Sequence, residues 1–171
     1  MQLSFSTDTS RESVFEKTAN YLHEQGYTIA SQDHNRPWGG FFVISEEQSE
    51  KFISQYFSHL TFGDLNISGK LSPKILVVAP EKRLSWQYHH RRAEIWKLIG
   101  GVAGVITSDT DEEKDIRNLQ PGDIVELAQG ERHRLIGLDG WGIVAEIWRH
   151  TDTENPSDES DIVRVQDDFG R

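Results

Sequence analysis

Leu84-Ser85-Trp86-Gln87-Tyr88-His89-His90-Arg91-Arg92-Ala93-Glu94-Ile95-Trp96 is the stretch on which the reading of this 171-residue chain turns. Ser85, Gln87 and His89 alternate as they would along a strand, so the Gln87 amide oxygen and the His89 imidazole project from one face. Glu94 opens a second apolar run, 95–99, and returns a carboxylate toward the same point. A second imidazole arrives later, at His133, behind turns at Gly122 and Gly130. Any one of these histidines alone reads as an ordinary polar residue. Together two imidazoles, a carboxylate and a neutral oxygen suit a divalent ion of borderline softness, zinc first, with iron, manganese, cobalt and nickel as alternatives. The chain has no cysteine to compete.

Outward from this stretch the pattern is β. The spacing predicts strands over 74–79, 84–90, 93–99, 103–108, 124–127, 133–137, 142–148 and 162–165. Turns are expected at Gly100-Gly101, Pro121-Gly122-Asp123, Gln129-Gly130 and Asp139-Gly140. Before them come two helices: 10–25, with Ser10 and Ser13 as cap residues and Gly26 as the stop, and 46–60, with acids in its first turn. A short strand, 41–44, lies between. Short antiparallel strands at this rhythm form a sandwich or a barrel. Residues 1–60 are expected to be a helical extension packed on a barrel built from 61–171, the whole being one structural domain.

The formal net charge of -10 argues against a nucleic-acid partner. No apolar run approaches the length of a membrane span, and a polar N-terminus without a signal pattern, together with the absence of cysteine, predicts a cytoplasmic protein. The charge is unevenly spread. Residues 70–97 carry seven cations against two acids, a local +5, whereas residues 152–171 carry seven acids against Arg164 and Arg171, a local -5. The basic segment can receive an anionic substrate or pair with the acidic tail. Arg36, Arg92 and Arg164 are the candidates for binding such a substrate, because guanidinium grips phosphate through parallel hydrogen bonds, and Arg92 has the alternative of pairing structurally with Glu94 or the acidic tail. Glu146 is an isolated carboxylate in the apolar run 142–148, on the opposite parity from Ile143, Ala145 and Ile147, and burial there would lift its pKa into the range of a general base. The alternative is a surface residue on an edge strand.

The two halves of the metal set resemble the paired motifs of the cupin superfamily, Gly-x5-His-x-His-x3-4-Glu-x6-Gly and Gly-x5-Pro-x-Gly-x2-His-x3-Asn, with Gln87 replacing the first histidine, Ala128 the proline and Gly137 the asparagine. Within cupins, residues 84–96 are similar to the matching segment of type II phosphomannose isomerases and of the isomerase domain of bifunctional mannose-1-phosphate guanylyltransferases. Arg36-Pro37-Trp38-Gly39, the run 74–80, Asp161-Ile162-Val163-Arg164 and Asp168-Phe169-Gly170-Arg171 extend the likeness. Arg91 stands where many members carry a third consecutive histidine, and 148–160 is longer and more acidic than usual, so both departures fall where a substrate is selected.

The resemblance implies a mainly β fold, a double-stranded β-helix or jelly-roll barrel with two N-terminal helices. It also implies a metal-dependent aldose-ketose isomerase of the mannose 6-phosphate to fructose 6-phosphate type. Gln87, His89, Glu94 and His133 would hold the ion, and Glu146 would act as the base. Lys74 is the rival base or a phosphate ligand, and Arg164 would assist. Heptose phosphates, lyxose-type sugars, a sugar-binding cupin without turnover and an oxygen-dependent cupin dioxygenase are the alternatives, the last disfavoured because four protein ligands leave little room for both substrate and oxygen. A homodimer is expected by analogy with other cupins. No nucleotidyltransferase segment or Gly-rich phosphate loop is expected in this chain.

Overall fold

The computed structural model describes residues 3–66 and 69–171. The first helix, α1 (Arg11–Glu24), is capped by Ser10, whose hydroxyl accepts from the Ser13 amide at 3.2 Å, so Ser10 rather than Ser13 is the cap. It stops at Gly26, which sits at φ +76°. Val14, Phe15, Thr18 and Leu22 form its buried face. The expected helix 46–60 is instead divided into a 3-10 turn at Glu46–Gln48, α2 (Ser49–Tyr56) and, beyond it, α3 (Phe62–Leu65). Phe57 ends α2 by adopting an extended φ of -130°. The Glu46 carboxylate accepts from the Leu71 and Ser72 amides and from the Ser49 hydroxyl, tying this turn to the chain that enters the barrel.

Nine strands among the described residues join one antiparallel sheet: β1 (Ile29–Arg36), β2 (Gly39–Ile44), β3 (Lys74–Val78), β4 (Trp86–Tyr88), β5 (Arg92–Ser108), β6 (Arg117–Leu119), β7 (Ile124–Leu127), β8 (Arg132–His150) and β9 (Val163–Gln166). The mainly β architecture with N-terminal helices is therefore the observed one. The first sixty residues also contribute the β1–β2 hairpin, and β2 pairs with β3.

Two expected turns, Gly100-Gly101 and Asp139-Gly140, lie inside strands. β5 and β8 run through them and pair from Arg92↔His150 to Ser108↔Arg132, bending at bulges on either side of Gly100-Gly101. Gly101 is at φ +67°, and a Cβ there would lie 1.8 Å from the Trp141 carbonyl oxygen, so glycine permits close crossing of two bent strands rather than a chain reversal.

β8 separates two cores. Ile143, Ala145 and Ile147 face α1 and α2, packing with Phe15, Phe42, Phe52 and Phe57. Val144 faces the barrel interior with Trp96, Leu98, Val125 and Leu127. The outer core is expected to carry much of the stability: Phe52, fully buried against Tyr27, Tyr56 and Phe57, should cost about 3–5 kcal/mol on Phe52→Ala, read as a lower urea midpoint at unchanged slope. A loss under 1 kcal/mol, roughly what exposed sites show, would mean that the helices do not anchor the barrel. No helix among the described residues is long and apolar enough to cross a membrane.

Candidate metal centre and adjoining cavity

His89, Glu94 and His133 converge inside the barrel, with one ligand atom from each lying within 4.8 Å of the others. His89 follows β4, Glu94 is the third residue of β5, and His133 is the second residue of β8. All three are buried. His89 Nε2 is 3.0 Å from Glu94 Oε1, and His133 Nε2 is 3.4 Å from Glu94 Oε2. The other ring nitrogens set the tautomers: His89 Nδ1 donates to the Asp161 carbonyl at 2.6 Å, and His133 Nδ1 to the Glu131 carbonyl at 2.9 Å. A carbonyl only accepts, so in the neutral rings both Nε2 lone pairs face the carboxylate. Glu94 Oε2 and His133 Nε2 are buried without a hydrogen-bond partner. Lone pairs turned on a buried carboxylate need a cation or a proton between them, and two imidazoles with a carboxylate fit a divalent metal ion.

Gln87 stands directly across from His133 in strand register and lines the same cavity, its amide oxygen accepting from the Ser85 hydroxyl at 2.5 Å. Burial would raise the Glu94 pKa, but His89 and Arg92 beside it hold the carboxylate well below the usual range. For His133, burial pushes downward and the Glu94 bond and charge outweigh it, leaving the imidazole raised.

Arg92 lies buried against this trio. Its Nε donates to Glu94 Oε1 at 2.9 Å, its Nη2 lies 3.3 Å from His89 Nε2, and Nη1 bonds Ser157 Oγ at 2.8 Å and the Asp158 carbonyl at 3.0 Å. The guanidinium also stacks 3.6 Å from the centroid of Trp148. It is committed to Glu94 and His89 on one side and to Ser157 and the Asp158 carbonyl on the other.

Glu146 lies in the cavity beside the trio. β8 is flanked here by β3 and β5, with Glu146 opposite Lys74 on one side and Trp96 on the other, so the edge-strand alternative is excluded. Trp96 Nε1 donates to Glu146 Oε2 at 2.8 Å, and Trp148 Nε1 to Oε1 at 3.0 Å. Burial and the neighbouring charge of Glu94 push its pKa up to about 7, despite the opposing pull of Lys74, Arg92 and the Trp96 bond. That value suits a proton acceptor near neutral pH.

Lys74, Arg36 and Arg164 also line the cavity. Lys74 is buried and ion-paired to Glu159. Arg36 pairs with Asp33 at 3.0 Å and lies over Phe41. Arg164 is exposed at the mouth and has no ion-pair partner among the described residues. Arg171 joins the same rim while paired with Asp167 at 2.8 Å. The sequence reading missed Trp96 and Trp148 as the holders of Glu146, Asp161 as the residue orienting His89, and Glu159 as the partner of Lys74. His90 is exposed, and its amide donates to the Asp161 carboxylate.

Comparison with protein families gives a match to the model described as mannose-6-phosphate isomerase C-terminal, over residues 56–167. The chain belongs to the mannose-6-phosphate isomerase C-terminal family. No curated protein sequence matches it. Among solved structures, this family member resembles one from the crystal structures of the DMSP lyases RdDddP and RnDddQII, at 13% identity with a TM-score of 0.55, covering 96% of this chain and 74% of that one. It also resembles vicilin from Corylus avellana (13% identity, TM-score 0.53, 80% of this chain and 35% of that one). A third similar structure is the capsular polysaccharide assembling protein CapF from Staphylococcus aureus (12% identity, TM-score 0.51, 82% and 34%). The chain thus spans about a third of the length of vicilin or CapF. At these identities the likeness is one of fold, the cupin barrel. Cupins commonly bind metals, and the buried trio of His89, Glu94 and His133 could hold one here.

Proposed function

We propose that this family member is a metal-dependent aldose-ketose isomerase acting on a sugar phosphate, with mannose 6-phosphate to fructose 6-phosphate the leading reaction. The observation that carries the reading is the placement of Glu146, a buried carboxylate whose pKa is pushed up to about 7, in one cavity with Glu94, the carboxylate on which His89 and His133 converge, and beneath a cationic rim. Isomerisation moves a proton between C1 and C2 of the open-chain sugar through an enediolate, which needs a base for the carbon-bound proton and positive charge near the two oxygens. A divalent ion, zinc first, held by His89, Glu94 and His133 with Gln87 alongside, would stabilise that oxygen charge.

The remaining steps belong to the chain. Glu146 takes the proton from C2, the hydroxyl proton of the enediolate passes from O2 to O1, and Glu146 returns its proton to C1 on the same face. The Trp96 and Trp148 indoles keep its carboxylate aimed into the cavity. Arg92 clamps Glu94 and His89 in register, while Lys74, Arg164 and Arg36 receive the phosphate. The indole and aliphatic walls keep bulk water from the enediolate.

The test is an isomerase screen of the protein loaded separately with zinc, manganese, cobalt and ferrous iron, against phosphorylated and free aldoses in deuterated water. Turnover with deuterium entering the product is expected for a phosphorylated aldose. Tight sugar binding without exchange for any aldose would make the protein a sugar-binding cupin instead.

Substrate charge has its own expected outcome. Arg164→Met should raise KM for the phosphorylated sugar about tenfold, the loss of one charge-assisted contact, and leave KM for the free sugar nearly unchanged. Equal losses on both substrates would place Arg164 outside phosphate recognition.

A further inference from the structure

Lys74 is held in an unusual setting. Its ammonium lies 4.3 Å from the centroid of Trp148 and 5.5 Å from that of Phe41, and its side chain is only 8% exposed. A cation in such an aromatic cradle requires an anion. Glu146, its cross-strand neighbour, already has both oxygens engaged by indoles. The anion that reaches Lys74 is Glu159, from the acidic segment between β8 and β9.

This pair is asymmetric. Glu159 is 76% exposed, and Lys74 is its sole side-chain partner among the described residues. Its carboxylate can leave for water at little cost, whereas the buried ammonium cannot follow. The chain around it is fastened independently: Ser157 Oγ bonds Asp161 at 2.6 Å, Arg92 holds Ser157 and the Asp158 carbonyl, and the Asp161 carboxylate accepts the His90 and Arg91 amides at 2.9 and 3.0 Å. Residues 157–161 are thus held in place beside the cavity, which Glu159 lines, and among the described residues Glu159 is the one acid of this segment ion-paired to a buried cation. Arg164, without a counter-ion of its own, opens onto the same cavity.

We propose that Glu159 is an internal surrogate for the substrate's phosphate, held on Lys74 until a phosphate dianion displaces it. This rests on the reading that the cavity takes a sugar phosphate. A carboxylate brings one negative charge to Lys74. A phosphate dianion brings nearly two, with further oxygens for Arg164, so exchange favours the ligand and Glu159 swings into solvent. A neutral sugar supplies no anion, and the Lys74–Glu159 pair stays closed.

Orthophosphate is the probe, titrated calorimetrically into wild type, Glu159→Gln, Lys74→Met and the double variant. Removing the surrogate should tighten orthophosphate binding about fivefold, in line with an ion pair whose one partner is exposed. Lys74→Met should lose the binding, and in that background Glu159→Gln should change nothing further. Unchanged or weaker binding by Glu159→Gln overturns the proposal, and so does a tightening that persists without Lys74, which would be a general charge effect. Glu159→Gln alters only an exposed side chain, so its result stands even if Lys74→Met fails to fold. Orthophosphate binding needs no turnover, so failure of the isomerase reading and failure of the surrogate are separately visible.

Discussion

Glu146→Gln is expected to reduce turnover by a factor on the order of a hundred or more while leaving metal content and sugar affinity close to wild type. The amide keeps the size of the carboxylate and can still meet an indole, but it cannot accept a proton from carbon. Exchange of the C2 hydrogen with deuterated water should fall in step. The pH profile adds a second reading. Only the deprotonated form accepts a proton, so kcat/KM in the wild type should climb with pH toward a plateau above about 7, the value to which burial and Glu94 lift this group. A cation bound by the trio draws that inflection lower, and the inflection should vanish in Glu146→Gln. Stability has the opposite sign: the folded chain keeps this proton to higher pH than the unfolded chain, so the contribution is full below about 4.5 and is lost as pH rises through 7. Normal turnover and exchange in Glu146→Gln would move the base elsewhere, with Lys74 next in line.

His89→Ala and His133→Ala should each lose most of the bound divalent ion, measured by elemental analysis after dialysis, whereas His23→Ala on the exposed side of α1 should retain it. The loss should exceed a hundredfold in affinity, since two remaining protein ligands do not make a site of the kind that three or four do. His133→Ala carries a further cost, because Glu94 Oε2 faces that ring and would be left without the group opposite it. Retention of a full equivalent of metal by both variants would rule out the trio as the centre.

How much of this was visible in the chain depended on distance along it. The metal trio was legible because two local motifs carry it, one at 87–94 and one ending at His133. Glu146 was legible because a lone acid interrupts an apolar strand. β1 was not, since Gln32, Asp33, His34 and Asn35 give a polar run on a sheet edge with little core-facing alternation. The glycine pairs at 100–101 and 139–140 were taken for turns because glycine serves bulges as readily as reversals, and only the β5–β8 pairing tells the two apart. Trp96 and Trp148 acquire a role once strand register is known. Lys74 and Glu159, 85 residues apart, with one of them in an aperiodic loop, leave no local pattern to read.

The single contact from His89 Nδ1 to the Asp161 carbonyl ties the ion-binding ring to the last segment of the fold. Thermodynamic linkage makes that tie reciprocal: whatever factor the seated segment adds to ion affinity, a bound ion returns to the seating of the segment. Loss of an ion from this trio would therefore loosen the 157–161 segment through Asp161, whereas Glu159, on a segment fastened by Ser157, Arg92 and Asp161, would leave Lys74 without disturbing that contact. Occupancy of the candidate centre and the seating of residues 157–161 would then be two readings of one equilibrium.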